Sequence, residues 1–192
     1  MRGVLSRRLA GIAALAALVS PPAASPQSAG DYRPDPARVR AEIRAFEGLI
    51  NRVVGSTFGS VPFAISQAAK GAYLSGYGAS FSFVVNIHRA LINTPLGEIK
   101  RDSITPDEKK KRIEGLKERL LRLLFENADS LRQLRREENI AIVAFIEDRN
   151  FPEEESQNRT VVLSVARRDV EGLAGQEERW KDFRQKVKIL EY

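Results

Sequence analysis

Hydrophobic positions recur along this chain with two distinct periods. Val39, Ile43, Phe46, Ile50 and Val53 follow one another at three- and four-residue steps, and Leu49 and Val54 widen the stripe. Arg38, Arg40, Glu42, Arg44 and Glu47 fill the opposite side, which is the pattern of an amphipathic helix of about five turns. Asp35 supplies a side-chain acceptor at its N-cap, Pro36 suits the first helical position, and Gly55 marks its expected end. A second long helix opens at Thr105-Pro106-Asp107-Glu108, where threonine and glutamate have capping-box spacing. Its stripe is Ile113, Leu116, Leu120, Leu123 and Leu124, and it should run to about Asn127, with a further turn near Ser130–Leu134. Glu108 with Arg112 and Glu118 with Arg122 have the spacing of supporting ion pairs on its surface.

Elsewhere the period shortens to two. Phe81, Phe83, Val85 and Ile87 alternate with Ser80, Ser82, Val84 and Asn86, the clearest strand pattern present. Phe63-Ala64-Ile65 suggests a short strand before it, and the glycines of Gly71–Gly78 suggest a tight turn or bulge leading into it. Residues 88–104 read as loop. Asn139–Glu147 holds a continuous apolar run that suits a central strand covered on both faces. An acidic loop, Asp148–Ser156, then joins it to Thr160–Val165 as an antiparallel pair. Asp169–Leu173 and Glu177–Arg184 read as short helices, and Val187–Leu190 as a last strand. A strand, a long helix and a further strand form a crossover between parallel neighbours. The expected fold is therefore α+β: a single domain with a mixed sheet of four or five strands and the two long amphipathic helices packed on it.

The first thirty residues follow neither period. Arg2, Arg7 and Arg8 are their only charges, and the apolar run Leu9–Val19 follows. Eleven residues are too few to span a bilayer, which takes ~20, but suit the core of a signal peptide behind a basic start. Small residues and prolines come next, placing cleavage near residues 23–29. The expected organisation is a signal peptide over 1–28, a flexible Pro/Ser/Ala linker over 29–36 and one domain over 37–192. Ser6-Arg7-Arg8 fits a twin-arginine signal, whereas Leu9-Ala10-Gly11 departs from its usual continuation, so the general secretory route stays open. The compact apolar block argues against a mitochondrial presequence. The mature chain is expected to be periplasmic or secreted, with no transmembrane segment.

Composition narrows the chemistry. The 192 residues are 43% hydrophobic and 29% charged, which suits one globular domain. The absence of cysteine removes disulfide scaffolds, thiolate metal sites and thiol nucleophiles. A single histidine, His88, cannot supply the two that a motif such as H-E-x-x-H needs. The net charge is +6, but setting aside the three leader arginines leaves 28 basic residues against 25 acidic, about +3. That balance gives no argument for nucleic acid or an anionic membrane.

Catalytic motifs fail one by one. Gly76-Tyr77-Gly78 begins a dinucleotide fingerprint, yet Phe81 stands where its third glycine belongs. Gly78-Ala79-Ser80-Phe81-Ser82 lacks the last glycine of a nucleophile elbow. His88 at a strand end could act as a general base, with Ser80 or Ser82 and a carboxylate such as Asp148, which defines an envelope hydrolase as the alternative function. Glu147, Asp148 and Glu153–Glu155 offer oxygen ligands, but their spacing fits no calcium loop and they read as a solvated loop. Lys109-Lys110-Lys111-Arg112 could hold a polyanion, but four consecutive residues wrap around a helix and no aromatics interleave, so a solvated face is the simpler reading. No catalytic residue, metal site or cofactor is assigned.

Gly71-Ala72-Tyr73-Leu74-Ser75-Gly76-Tyr77-Gly78-Ala79-Ser80-Phe81 has the form G-x-Y-L-x-G-Y-G-x-x-F, and the chain ends in Val187-Lys188-Ile189-Leu190-Glu191-Tyr192. The segment resembles an uncharacterised family of exported bacterial proteins. The resemblance implies export and a bacterial source, and no activity. The resulting expectation is a non-enzymatic binding or interaction module with an unknown protein or envelope partner. Its candidate binding residues are Tyr73, Gly76, Tyr77, Gly78 and His88, because tyrosines on a glycine-held backbone present rigid amphipathic rings.

Overall fold

The computed structural model describes residues 32–58, 65–87, 92–94, 97–99, 105–148 and 158–192. The expected signal peptide, Phe63-Ala64, His88 and Glu153–Glu155 lie outside them. Helix α1 spans Pro36–Thr57, with the Asp35 carboxylate accepting from the Ala37 and Arg38 amides. It runs through Gly55 to a cap at Phe58, beyond the expected end. Val39, Ile43, Phe46, Ile50 and Val54 are its buried stripe.

Strand β1 covers Ile65–Leu74 and β2 covers Gly78–Asn86; the two form an antiparallel hairpin. The expected short strand and glycine-rich turn are thus one ten-residue strand and a tight reversal over residues 75–77. Two register shifts between Ile65 and Lys70 break the alternation, and most of the strand is exposed, so the sequence carries no period-2 signal there. The expected loop over 88–104 holds a small hairpin, β3 (Ile92–Thr94) with β4 (Gly97–Ile99). Strands of three residues are too short for periodicity to reveal.

Helix α2, Pro106–Asn127, begins with the complete capping box at Thr105 and Glu108. Strand β5 (Asn139–Glu147) lies parallel to β2, so α2 sits in the crossover between them. Strand β6 (Arg159–Ala166) pairs antiparallel with β5. A short α3 (Trp180–Lys186) precedes β7 (Lys188–Glu191), the second edge of the sheet. The sheet order is β1-β2-β5-β6-β7, a mixed five-stranded sheet. With three helices it makes an α+β domain, and Pro34–Tyr192 forms one unit separate from Met1–Arg33. Among the described residues no helix is long and apolar enough to cross a membrane.

The register assigns the two faces. Phe81, Ile142 and Leu163 are neighbours on one face and are fully buried. The Phe46 ring of α1 meets Phe81 at 4.8 Å between centroids, so this is the face the helices cover. Ser82, Val143, Val162 and Leu190 form the corresponding row on the other face. There Phe145 is 43% exposed and Leu190 57% exposed. The expectation that β5 is covered on both faces is therefore corrected: it is central in order, but its outer face is partly open. A seven-residue apolar run cannot tell these cases apart, because Val143 and Phe145 look the same as core positions in sequence.

Side-chain pairings also differ from the helical spacing rule. Arg112 donates to the Ile87 carbonyl at 3.1 Å, Arg122 pairs with Glu177, and Glu118 pairs with Arg184. Partners on α3, on the turn at Glu177 just before it and at the sheet end displace the expected neighbours one turn away. Arg122 also lies 3.9 Å over the Trp180 ring, which fastens α3 to α2.

Candidate functional site

The candidate site is a groove between α1 and the outer edge of β1. It has a volume of about 570 Å³, within the usual range for ligand sites. Val39, Ile43 and Pro36 of the helix region, with Tyr73 and Gly71 of the strand, give it an apolar floor. Arg40, Arg44 and Lys70 stand at its lips with Glu47 between them. All three cations are exposed and make no ion pair among the described residues.

Helix and strand are matched in spacing here. Asn51 accepts from the Ala69 amide at 2.8 Å, and Glu47 accepts from the Gly71 amide at 2.7 Å. Four residues of helix rise about 6 Å, and two residues of strand about 6.6 Å, so the two rows keep step. These side chains satisfy outward-facing amides of an edge strand, which would otherwise invite pairing with another chain. One step further on, Ile43 and Arg44 come opposite Tyr73, and the groove opens there.

The glycines of the sequence motif explain the close approach. A Cβ on Gly71 would lie 2.6 Å from the Phe81 ring and 2.7 Å from Ile43 Cγ2. Glycine at this position lets α1 lie directly against the strand edge. Gly78 has φ 124°, and a Cβ there would sit 2.1 Å from the Asn139 carbonyl oxygen, so β2 meets the start of β5 without a side chain between them. Gly76 has φ 80° in the hairpin turn and faces open space.

The two tyrosines part company. Tyr73 is half-buried, packs against the core and donates its hydroxyl to Glu138 at 2.8 Å. Glu138 is itself 4% exposed and also accepts from the Arg135 amide, so Tyr73 is pinned as the end wall of the groove. Tyr77 is 39% exposed at the turn, and its carbonyl accepts from the Asn139 amide at 2.7 Å. Tyr73 thus belongs to the groove, whereas Tyr77, Gly76 and Gly78 belong to the hairpin turn beside it.

Of the residues of the alternative readings, His88 lies outside the described residues. Ser80 and Ser82 lie on the outer face of the sheet. Asp148 was expected in a solvated loop; instead it is 1% exposed, and its Oδ2 lies 3.0 Å from the Lys109 ammonium. Lys109 was expected on a solvated face and is 5% exposed. The correction has one cause. Lys109 begins the stripe that Ile113, Leu116 and Leu120 continue, so it turns into the sheet, where the end of β5 places a carboxylate to meet it. Lys110 and Lys111 remain exposed, and Arg112 is half-buried. Among the described residues no group of histidine, aspartate or glutamate side chains could hold a metal ion.

Arg40, Arg44, Glu47 and Lys70 had no distinguishing mark in the sequence, because every polar residue on the outer side of an amphipathic helix looks alike. The one usable signal was Gly71, a glycine in a strand interior, which marks a close approach. Comparison with known proteins finds no matching family model, no matching curated protein and no matching solved structure.

Proposed function

We propose that this chain is an exported bacterial binding module without enzymatic activity, and that its partner occupies the groove between α1 and β1. The observation that carries the reading is the groove itself, an apolar trough beside the terminal strand of the described sheet, with unengaged cations at its lips. Such an edge offers main-chain groups for affinity, while neighbouring side chains supply selectivity. Export rests on the basic, apolar and small-residue succession of the first thirty residues. The hydrolase reading loses support from Asp148, whose carboxylate is buried and engaged by the Lys109 ammonium.

Two experiments test the parts separately. Mass spectrometry of the native protein should find a mature start between residues 24 and 30, and an intact Met1 on a cytoplasmic protein would refute export. Changing Arg7-Arg8 to Lys-Lys should abolish export if the twin-arginine route is used and spare it otherwise. For the groove, a photo-crosslinking residue at Arg44 should give a discrete adduct in cells, and one at exposed Lys181 should not. Equal adducts at both positions, or none at Arg44 and Lys70, would refute the groove as the site.

A further inference from the structure

Resting on the groove reading, we propose that its occupant is an extended acidic polypeptide segment lying along the edge of β1. Three observations select this partner. First, β1 is the terminal strand of the sheet, so among the described residues its outer side faces no other strand. Second, the helix side of the groove runs from Pro36 to Glu47. That is about 16 Å of helix, or the length of about five residues of extended chain. Third, the lips carry Arg40, Arg44 and Lys70 against a single carboxylate, Glu47, which is already bound to the Gly71 amide. The groove is therefore net positive, and it already shows how it holds a carboxylate: on a backbone amide of the strand.

A chain with alternating acidic and apolar residues fits both surfaces at once. Successive side chains of an extended segment point to opposite sides. Apolar residues would meet Val39, Ile43 and the Tyr73 ring on the floor, while acidic ones would reach the arginines and Lys70. A lipid headgroup would leave the apolar floor uncovered.

The test uses the mature protein and the peptide acetyl-Asp-Val-Glu-Val-Asp-Val-amide, with analogues in which lysine or serine replaces the acids. Binding is read by amide chemical shifts. The acidic peptide should shift residues 39–47 and 69–74, and its affinity should fall steeply between about 50 mM and about 300 mM salt. Arg40→Glu with Arg44→Glu should weaken it about tenfold or more without changing the melting temperature, since both side chains are exposed. If the serine or lysine peptide bound equally at the same residues, the groove would stand and the acidic partner would be wrong. Shifts elsewhere, or no binding by any peptide, would overturn both. Binding to phosphatidylglycerol vesicles in place of the peptide would replace the polypeptide by a membrane surface.

Discussion

Removing the Lys109 ammonium is the sharpest test of the packing described above. Its side chain is 6% exposed and that of Asp148 is 0% exposed, with 3.0 Å between Nζ and Oδ2. Lys109→Met keeps most of the stem and deletes the charge, so Asp148 is left buried without its cation. Breaking a buried pair in this way typically costs ~3–5 kcal/mol, because the surviving charge has lost its water and its partner together. For a domain of this size each kcal/mol shifts the melting temperature by about 2–4 °C, so a fall of roughly 6–20 °C is expected. Lys110→Ala, one residue on and exposed, should stay within ~0.5 kcal/mol of the parent. The pair Lys109→Met with Asp148→Leu removes both charges and should be more stable than either single variant, since an apolar pair of similar volume needs no compensation. Urea denaturation of the four proteins gives the coupling energy directly. If Lys109→Met matched the parent, or if the single losses simply added, Lys109 would be solvated after all and α2 would be wrongly rotated.

Five further substitutions probe other contacts. Gly78→Ala should lower stability by about 3 kcal/mol or more, because φ 124° and the Asn139 carbonyl both oppose a side chain, while Gly76→Ala, at φ 80° in open space, should lose only ~1–2 kcal/mol in a thermal melt. Leu120→Ala should lose ~2–5 kcal/mol in the same assay, as expected of a leucine 1% exposed. Tyr73→Phe, which deletes only the hydroxyl bound to the Glu138 carboxylate, should lose ~1.5–3 kcal/mol. Burial lowers the pKa of Lys117, but hydrogen bonds and charge attraction from Glu114 and Glu191 outweigh it and hold the ammonium above its ordinary value. Its contribution is therefore complete below the ordinary lysine value of about 10.4 and fades as pH rises through the raised folded value, so the stability gap between parent and Lys117→Met should narrow as pH rises beyond the ordinary value.

The elements that were legible in the sequence share one property: a strong local signal that tertiary contacts reinforce. The Thr105–Glu108 capping box and the Asp35-Pro36 start are satisfied within a few residues of chain, so no distant contact can overrule them. The alternation in β2 survives because one face of that strand meets the helices and the other does not. β1 was illegible for the opposite reason. It is an edge strand with register shifts, and four of its first five positions are exposed, so no face imposes a period. The Lys109–Asp148 pair was hidden because a charged residue in the sequence reads as solvated. Only the meeting of two elements 39 residues apart turns it inward.

The candidate site shows the same division within one motif. Three glycines stand between residues 71 and 78, and the sequence treats them alike. In the fold they do three different things. Gly76 supplies a positive φ for the turn, Gly78 clears the backbone of β5, and Gly71 admits helix α1. Only the last builds the groove. With any side chain at 71, Ile43 and Phe81 would have to separate, α1 would stand off from β1, and Glu47 could no longer reach the Gly71 amide. The strand edge would then be open along its whole length, a template for unselective pairing. The glycine therefore lets α1 cap the Ala69 and Gly71 amides through Asn51 and Glu47. The trough runs on past that capped stretch, lined there by Tyr73 and the cationic flank of the helix. On the proposed reading, selectivity follows from where α1 stops protecting the edge, and one hydrogen atom in place of a methyl group at residue 71 decides it.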